Sequence, residues 1–346
     1  MQITTIGVDL AKNVFQVHCV DAVGKVIIAR QLRRGRVIEF FRKLAPSLIG
    51  MEACATAHHW ARELTRLGHT VRLMPASYVK AYVKRSKNDA ADAAAICEAV
   101  TRPSMRFVPI KSVEQQAALM LHRVRDLLVR QRTQLINALR AHLAEIGLIS
   151  ATGVDGVKAL VAIVTDETNR NALVGPLRKA LVPLVRQLSS LGQQISDLER
   201  SIHVQHRAND ASRRLESVPG IGVIGATAIT ATVTDPSVFK TGREFAAWIG
   251  LVPRQHSTGG KQRLGGISKQ GDRYLRRLLV VGATTVIRHA RTRPDKHPWL
   301  LRLLAKKPSK VVAVALANKL ARIAWAILAK GGTYQASASA ASIRDR

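Results

Sequence analysis

Four acidic residues in the first third of the chain have the types and the placement of a metal site. Asp9 and Glu52 each follow a short apolar run, ITTIGV and SLIGM respectively. Asp89 and Asp92 lie three positions apart in an alanine-rich segment, and this spacing puts two residues on one helix face. Carboxylate oxygens are the ligands that Mg²⁺ prefers. Two such ions, about 3.5–4 Å apart, can activate an attacking oxygen and stabilise a leaving oxygen at phosphorus. The acids therefore predict a phosphoryl-transfer site for two Mg²⁺ ions, which Mn²⁺ could replace.

Three of the four acids also have a structural interpretation. Ser86 and Asp89 fit a capping box, with Ser86 as the N-cap and Asp89 as the third helical residue. Asp92 would then complement the helix dipole, and Asp9 would end a strand. The metal site is favoured when the four acids are considered together with the elements that carry them, and the two interpretations can both hold.

The elements that must position these acids follow from the apolar periodicity. Short apolar or alternating runs over residues 2–31 predict three antiparallel strands in a meander. Residues 32–77 then alternate helix and strand, which predicts parallel pairing. This is the order of a ribonuclease-H-like α/β sheet. The first strand and the strand ending at Glu52 would place Asp9 beside Glu52, and a helix across that edge could add Asp89 and Asp92.

Two long helical segments are predicted next, with apolar residues at alternating steps of four and three, as in a coiled coil. The first seam, in which Gln131 is a polar exception, consists of Ala117, Leu121, Val124, Leu128, Leu135 and Ala138. The second consists of Leu184, Leu188, Leu191, Ile195, Leu198 and Ile202. We expect the two helices to pair within the chain or across a dimer.

The region from residue 212 onward is apolar and Gly-rich, and then strongly basic. The sequence VPGIG resembles a helix-hairpin-helix turn, in which backbone N–H groups at Gly220 and Gly222 would bind a phosphate. A plain turn between two buried helices is the alternative.

A polar loop within residues 250–280 contains two adjacent hydroxyl groups, those of Ser257 and Thr258. The loop is framed by cations at Arg254, Lys261, Arg263, Lys269 and Arg273. One hydroxyl could attack a phosphodiester while the cations stabilise the developing charge. Alternatively, the loop only grips backbone phosphate.

The composition narrows the class of protein. The chain has 54 Lys and Arg but 23 Asp and Glu, a net charge of +31, which implies a polyanionic partner, most often nucleic acid. No apolar run approaches the roughly 20 residues of a membrane span, and the N-terminus has no signal-peptide pattern. Three cysteines without CxxC spacing, Cys19, Cys54 and Cys97, predict reduced, buried thiols. We therefore expect a cytoplasmic, nucleoid-associated bacterial protein with no membrane partner.

Taken together, the motifs GVDLAK, MEACATAHHWAREL, KNDAADAAAI, VPGIG and FAAWIGLVPRQHSTGGKQRLGGISKQGDRYLRRLL resemble the insertion-sequence-110 family of transposases, in its 1111 subgroup. The resemblance spans about residues 3–330. With the elements above, it implies a RuvC-like DEDD catalytic domain over 1–110, a coiled-coil oligomerisation region over 111–211, and a mainly helical C-terminal transposase domain over 212–332. Residues 333–346 would form a flexible tail.

The resemblance also implies an activity. Members excise and insert their own mobile element, using Mg²⁺ and a serine that becomes covalently linked to DNA. A structured non-coding RNA guides them to double-stranded donor and target DNA. They act as tetramers built from dimers, with the acids of one subunit and the serine of another in one active site.

Carried over by position, the metal ligands would be Asp9, Glu52, Asp89 and Asp92. The family loop often has two serines before glycine, whereas this chain has Ser257 and Thr258. We assign the nucleophile to Ser257, because a primary hydroxyl is less crowded, and Thr258 stays the alternative.

Two other functions are compatible with parts of the sequence. A Holliday-junction-type nuclease would use the same acids without a covalent step. A basic architectural nucleic-acid-binding protein would need neither the acids nor the serine.

Overall fold

The computed structural model describes residues 2–83, 88–166, 173–294 and 297–335. Ser86 and residues 336–346 of the predicted tail lie outside the described residues. The chain divides into two compact units, residues 1–116 and 117–346.

A five-stranded sheet with the order β3-β2-β1-β4-β5 forms the centre of the N-terminal unit. Its strands are β1 (Thr5–Leu10), β2 (Val14–Val20), β3 (Val26–Arg33), β4 (Leu48–Glu52) and β5 (Thr70–Met74). The first three pair antiparallel, while β4 pairs parallel with both β1 and β5. The predicted meander and the predicted parallel pairing are therefore confirmed.

Helices cover both faces of this sheet. The helices of the unit are α1 (Val37–Arg42), α2 (Ala57–Arg66), α3 (Ala76–Val79) and α4 (Asp89–Ala99). On one face, alternate residues of the strands, such as Ile6 and Val8, pack with α1 and α2 in a buried cluster. On the other face, α4 crosses β1 and β4. A sheet covered on both faces requires apolar or small residues at nearly every central position, which explains the continuous apolar runs in the sequence.

The start of α4 differs from the prediction. Asn88 is the N-cap, and its Oδ1 accepts a hydrogen bond of 2.8 Å from the Ala91 N–H. Asp89 is therefore the first helical residue, and the prediction of Asp89 as the third residue of a capping box is wrong. Asparagine is as good a cap as serine, so the local preference can be satisfied nearer to Asp89.

The remaining elements are mostly helices. They are α5 (Val113–Ala144), α6 (Val154–Thr165), α7 (Gly175–Ala208), α8 (Asp210–Glu216), α9 (Val223–Thr232), α10 (Gly242–Ile249), β6 (Pro253–Gln255), β7 (Leu264–Ile267), α11 (Arg273–Thr292), α12 (Pro298–Leu304) and α13 (Ser309–Lys330). Helices α8 to α13 share one apolar core.

The long helices α5 and α7 contact each other within the chain. Leu139 and Leu143 of α5 lie in one buried cluster with Leu181 and Leu188 of α7 and with residues of α6. The predicted seam of α7 is buried or half-buried throughout, whereas Ala117 and Val124 of the α5 seam are exposed. The seam of α7 therefore faces protein, and a regular coiled coil stays a prediction.

Helix α13 is long and apolar enough to cross a membrane by length and composition alone. The expectation that no apolar stretch approaches this length does not hold for α13. However, one side of the helix, including Val312, Leu316, Leu320 and Ile327, is buried in the core of the C-terminal unit. Its apolar character is that of a core helix.

Candidate functional site

Asp9 and Glu52 occupy neighbouring positions on adjacent strands. The parallel pairing of β1 and β4 brings Val8 opposite Met51, and the two acids are the next residues of their strands. Both are half-buried at the C-terminal edge of the sheet. The sheet therefore brings these two predicted ligands side by side along the backbone.

Two glycines allow α4 to pack closely on the face that the two acids share. Because strand side chains alternate, Gly7 is on the face of Asp9, and Gly50 is on the face of Glu52. A Cβ atom at Gly7 would lie 2.1 Å from the Ala93 carbonyl oxygen. A Cβ atom at Gly50 would lie 2.7 Å from the Cβ of Val100. The backbone of α4 therefore lies directly against the strands that end in the acids.

The acids of α4 each lie one turn before a residue at this contact. Asp89 precedes Ala93 by four positions, and Asp92 precedes Ile96, whose carbonyl oxygen also faces Gly50. Positions four apart share a helix face, so both acids are on the side of α4 that meets the sheet. Asp92 is half-buried and Asp89 is exposed.

The acids fit a hard cation by their chemistry, since all four donors are carboxylates. Nevertheless, within the part of the chain that the structure describes, no three His, Cys, Asp or Glu side chains gather closely enough to hold a metal ion. The fold thus brings the acid-bearing elements together without a preformed ligand cluster.

The thiols near α4 are poor ligands for metal at neutral pH. Burial raises the pKa of Cys97 on α4 to about 11, and that of Cys19 on β2 to about 12. Both are free thiols, as is the exposed Cys54. Cys19 and Cys97 are buried, as predicted, whereas the prediction of a buried thiol is wrong for Cys54. The carboxylates remain the relevant donors.

The predicted polar loop with Ser257 is a β-ribbon, which we call the serine arm (residues 253–267). Its strands β6 and β7 pair antiparallel, and the pairing continues because the His256 N–H donates to the Arg263 carbonyl at 2.8 Å. At the tip, Thr258 pairs with Lys261 across Gly259 and Gly260, whose φ angles are 54° and 77°. Positive φ at both central residues is the requirement of a two-residue hairpin turn of type I′. These glycines thus make the turn itself.

Side chains alternate along the ribbon, which places the hydroxyls of Ser257 and Thr258 on opposite faces. The expectation that one frame of cations surrounds both hydroxyls is therefore wrong. One face, here called the serine face, carries Gln255, Ser257, Gln262 and Leu264. The other, called the cationic face, carries His256, Thr258, Lys261 and Arg263. On the serine face, the Gln255 side-chain Nε2 donates a hydrogen bond of 3.0 Å to the Ser257 Oγ. All eight residues are exposed.

The base of the serine arm is held by backbone contacts. A Cβ atom at Gly250 would lie 2.1 Å from the Gln270 carbonyl oxygen, and both Gly250 and Gly271 have φ near 80°. The Arg276 guanidinium donates to the carbonyl oxygens of Ile249 and Gln270, at 2.6 and 2.9 Å. The two ends of the arm are therefore fixed together where α11 begins.

The predicted phosphate-binding cations have different surroundings. Arg254 donates from Nε and Nη2 to the Ser268 carbonyl oxygen, at 3.4 and 3.3 Å, so part of its guanidinium stabilises the base of the arm. Lys261, Arg263 and Arg273 are exposed. Lys269 is also exposed and has a φ angle of 56°, a left-handed conformation.

The two glycines of VPGIG differ in their surroundings. Gly220 has a φ angle of 93°, and a Cβ atom there would lie 3.0 Å from the Gly282 carbonyl oxygen of α11. Gly220 therefore serves helix packing, as the structural alternative predicted. Gly222 is the exposed N-cap of α9, with open space around it. Gly222 is therefore the more accessible of the two glycines, since Gly220 is half-buried.

Sequence reasoning missed three groups with a bearing on the site. These are the Gly7 and Gly50 contacts beneath α4, the Gln255 hydrogen bond to Ser257, and the Arg276 clamp at the base of the arm. A glycine two positions before each strand acid was a signal for the close contacts beneath α4. The Gly259–Gly260 pair was a signal for the ribbon, and hence for the hydrogen bond between Gln255 and Ser257. No local pattern pointed to Arg276.

Comparison with known proteins covers both units. Residues 6–148 match the family model of the DEDD transposase domain of IS110 elements, described as "Transposase". Residues 212–298 match the model described as "Transposase IS116/IS110/IS902 family". The two matches include all four acids and the whole serine arm.

Full-length relatives give the same result. The chain is 52% identical to a probable family 20 transposase of Pseudomonas aeruginosa, over 97% of this chain and 99% of the relative. It is 40% identical to the transposase for insertion sequence element IS1111A of Coxiella burnetii, over 97% and 92%. It is 39% identical to the transposase for element IS1328 of Yersinia enterocolitica, over 96% and 98%. The chain therefore belongs to the IS116/IS110/IS902 family of transposases, enzymes of DNA transposition.

Proposed function

We propose that this chain excises and inserts its own mobile element through a covalent serine–DNA intermediate. The observation that carries the proposal is the placement of Asp9 and Glu52 at adjacent strand ends, on the face that α4 covers with Asp89 and Asp92 in its first turn. The exposed Ser257 hydroxyl on a projecting ribbon adds a candidate nucleophile. The N-terminal unit then corresponds to a RuvC-like DEDD domain.

The four acids would hold the metal, for which Mg²⁺ is our proposal. When bound, two such ions neutralise the acids and supply positive charge to the attacking and leaving oxygens at phosphorus. The role of the chain is to keep the carboxylates on one sheet edge. The close contact of α4 with Gly7 and Gly50 fixes the distance between the helix acids and the strand acids.

Ser257 would form a phosphodiester with one end of the cut strand. The bond from Oγ to phosphorus forms as the bond from phosphorus to the departing DNA oxygen breaks. The serine hydroxyl loses its proton in this step, and the departing oxygen gains one. Since one ester bond replaces another, the energy of the broken bond is retained and the strand can be rejoined without ATP. A nuclease that uses water would lose that energy.

The partners we propose are donor and target DNA, a structured non-coding guide RNA, and further copies of the chain in a dimer or tetramer. The net charge of +31 and the cationic face of the serine arm support binding to nucleic acid. Guide RNA and oligomerisation are inferred from the family. The location we propose is the bacterial cytoplasm, at the nucleoid.

Trapping of a protein–DNA adduct tests the proposal. The full chain is expressed from a plasmid that carries its gene with the flanking DNA on both sides, and the DNA is recovered under denaturing conditions. Ser257→Ala should abolish the adduct, while the matched variant Thr258→Val should retain it. Asp9→Asn and Glu52→Gln should abolish cleavage. Deletion of a structured non-coding segment beside the gene should abolish targeting.

Other outcomes would support different functions. Cleavage by Ser257→Ala without any adduct would favour the junction nuclease. An adduct that persists in Ser257→Ala and disappears in Thr258→Val would make Thr258 the nucleophile. If Asp9→Asn and Glu52→Gln change no measurable activity, the chain is an architectural protein.

A further inference from the structure

The hydrogen bond between Gln255 and Ser257 has a geometric basis in the ribbon. Gln255 lies in β6, where it pairs with Leu264, so its backbone is held by the strand. Residues two apart in a strand point to the same face and are separated by about 6.6 Å. The long glutamine side chain spans this distance and donates from Nε2 to the Ser257 Oγ, at 3.0 Å.

The bond occupies one lone pair of Oγ and leaves the hydroxyl hydrogen free. Ser257 would otherwise rotate among its staggered positions, as exposed serines do. A donor at Oγ selects among these positions and also stabilises negative charge that grows on Oγ as the proton leaves. Thr258 lies on the other face of the ribbon, with Lys261, so Gln255 can act on only one of the two candidate hydroxyls.

We propose that Gln255 is a positioning residue for Ser257, and that it orients the hydroxyl for attack and lowers the cost of its deprotonation. This inference rests on the proposed serine mechanism. The bond formed in that step is from Oγ to phosphorus, the bond broken is from phosphorus to the departing DNA oxygen, and no oxidant or reductant is needed. Gln255 exchanges no atoms in the step.

Substitutions that alter the length or the polarity of the side chain test this role. Gln255→Asn keeps the amide but is one methylene too short to reach Oγ. Gln255→Glu keeps the length but replaces the donor by a carboxylate. Gln262→Asn is the matched control, because Gln262 is also an exposed glutamine on the serine face, in the position directly opposite Ser257.

The readout is the rate of adduct formation by the full chain, on a plasmid carrying its gene and flanking DNA. Gln255→Asn should slow the adduct about five- to tenfold, as expected for one lost hydrogen bond, while Gln262→Asn should stay within about twofold of the unchanged chain. The ratio of the rate of Gln255→Glu to the rate of the unchanged chain, measured at each pH, should be lowest at pH 8. It should recover towards pH 5, because a carboxyl group with a pKa of about 4.3 regains a donor hydrogen as the pH falls.

The failure of this inference differs from the failure of the serine mechanism. If Ser257→Ala abolishes the adduct while both asparagine variants form it at the original rate, Gln255 has no positioning role. A constant ratio between Gln255→Glu and the unchanged chain across pH 5–8 would also overturn it. Should Ser257→Ala form the adduct normally, the serine mechanism itself fails. Because all three residues are exposed, these variants should fold, and their unfolding midpoints should match.

Discussion

Replacing Gly7 by alanine tests how closely α4 must approach the sheet. A Cβ atom at this position would lie 2.1 Å from the Ala93 carbonyl oxygen and 2.5 Å from the Cys97 backbone nitrogen. These atoms are helix backbone, so they cannot move aside as a flexible side chain could. To lengthen the distance between the new Cβ atom and the Ala93 carbonyl oxygen to 3.0 Å, the helix must withdraw by about 0.9 Å. Overpacking of this kind costs about 1–3 kcal/mol of the free energy of unfolding.

The same displacement should affect activity more than stability. Ala93 immediately follows Asp92, so withdrawal of the helix moves its acids away from Asp9 and Glu52. A misplacement of about 1 Å in a catalytic group can cost about a hundredfold in rate. We therefore expect Gly7→Ala to remain folded at 25 °C and to cleave DNA about a hundredfold more slowly.

Hydrogen exchange of α4 peptides and urea unfolding of the full chain measure the stability, and plasmid cleavage measures the activity. Gly35→Ala is the matched control, because a Cβ atom there meets nothing within 4 Å. It should change the free energy of unfolding by less than about 0.5 kcal/mol. If Gly7→Ala equals Gly35→Ala in both measurements, the close contact of α4 does not position the acids.

Three further predictions concern stability and reactivity. Asn88→Ala should lower the protection of α4 in hydrogen exchange by about 1 kcal/mol, because the helix loses its N-cap. Asn88→Asp should keep the protection, because aspartate also caps helices. Equal exchange in the two variants would contradict the capping role of Asn88. Burial lowers the pKa of His122 to about 4 from 6.5, so the unfolded chain binds this proton more readily than the folded chain. The free energy of unfolding should therefore fall as the pH drops from 6.5 to 4, and the fall should be smaller in His122→Asn, as measured by urea midpoints. Iodoacetamide at pH 8 should label Cys54 and spare Cys19 and Cys97, whose pKa values burial raises to about 12 and 11; peptide mass spectrometry would reveal the opposite order.

The sheet was predictable because its signals are local. Apolar runs and their spacing gave the antiparallel meander and the parallel strands, and pairing of parallel strands brings their C-terminal ends to one edge. The neighbouring positions of Asp9 and Glu52 followed from that rule alone. The place where α4 starts was not predictable, because Ser86 and Asn88 are both good caps and the local signals do not rank them.

The serine arm was misjudged for a different reason. A segment rich in glycine and charge resembles a loop, and its alternation is concealed because both faces are polar. The two-residue Gly259–Gly260 turn contained the missing information, since it predicts a hairpin and so assigns every neighbour to a face. The clamp by Arg276 depends on carbonyl groups distant in the sequence, and no local pattern encodes such contacts.

The tight tip of the serine arm has an evolutionary consequence. A β-ribbon has only two sides, so the side on which a residue emerges depends on whether its distance from the turn is an odd or an even number of residues. Insertion of one amino acid between Thr258 and the turn would exchange the faces on which the two hydroxyls emerge without altering either side chain. Lineages of this protein should therefore tolerate substitutions in the arm more readily than changes in its length.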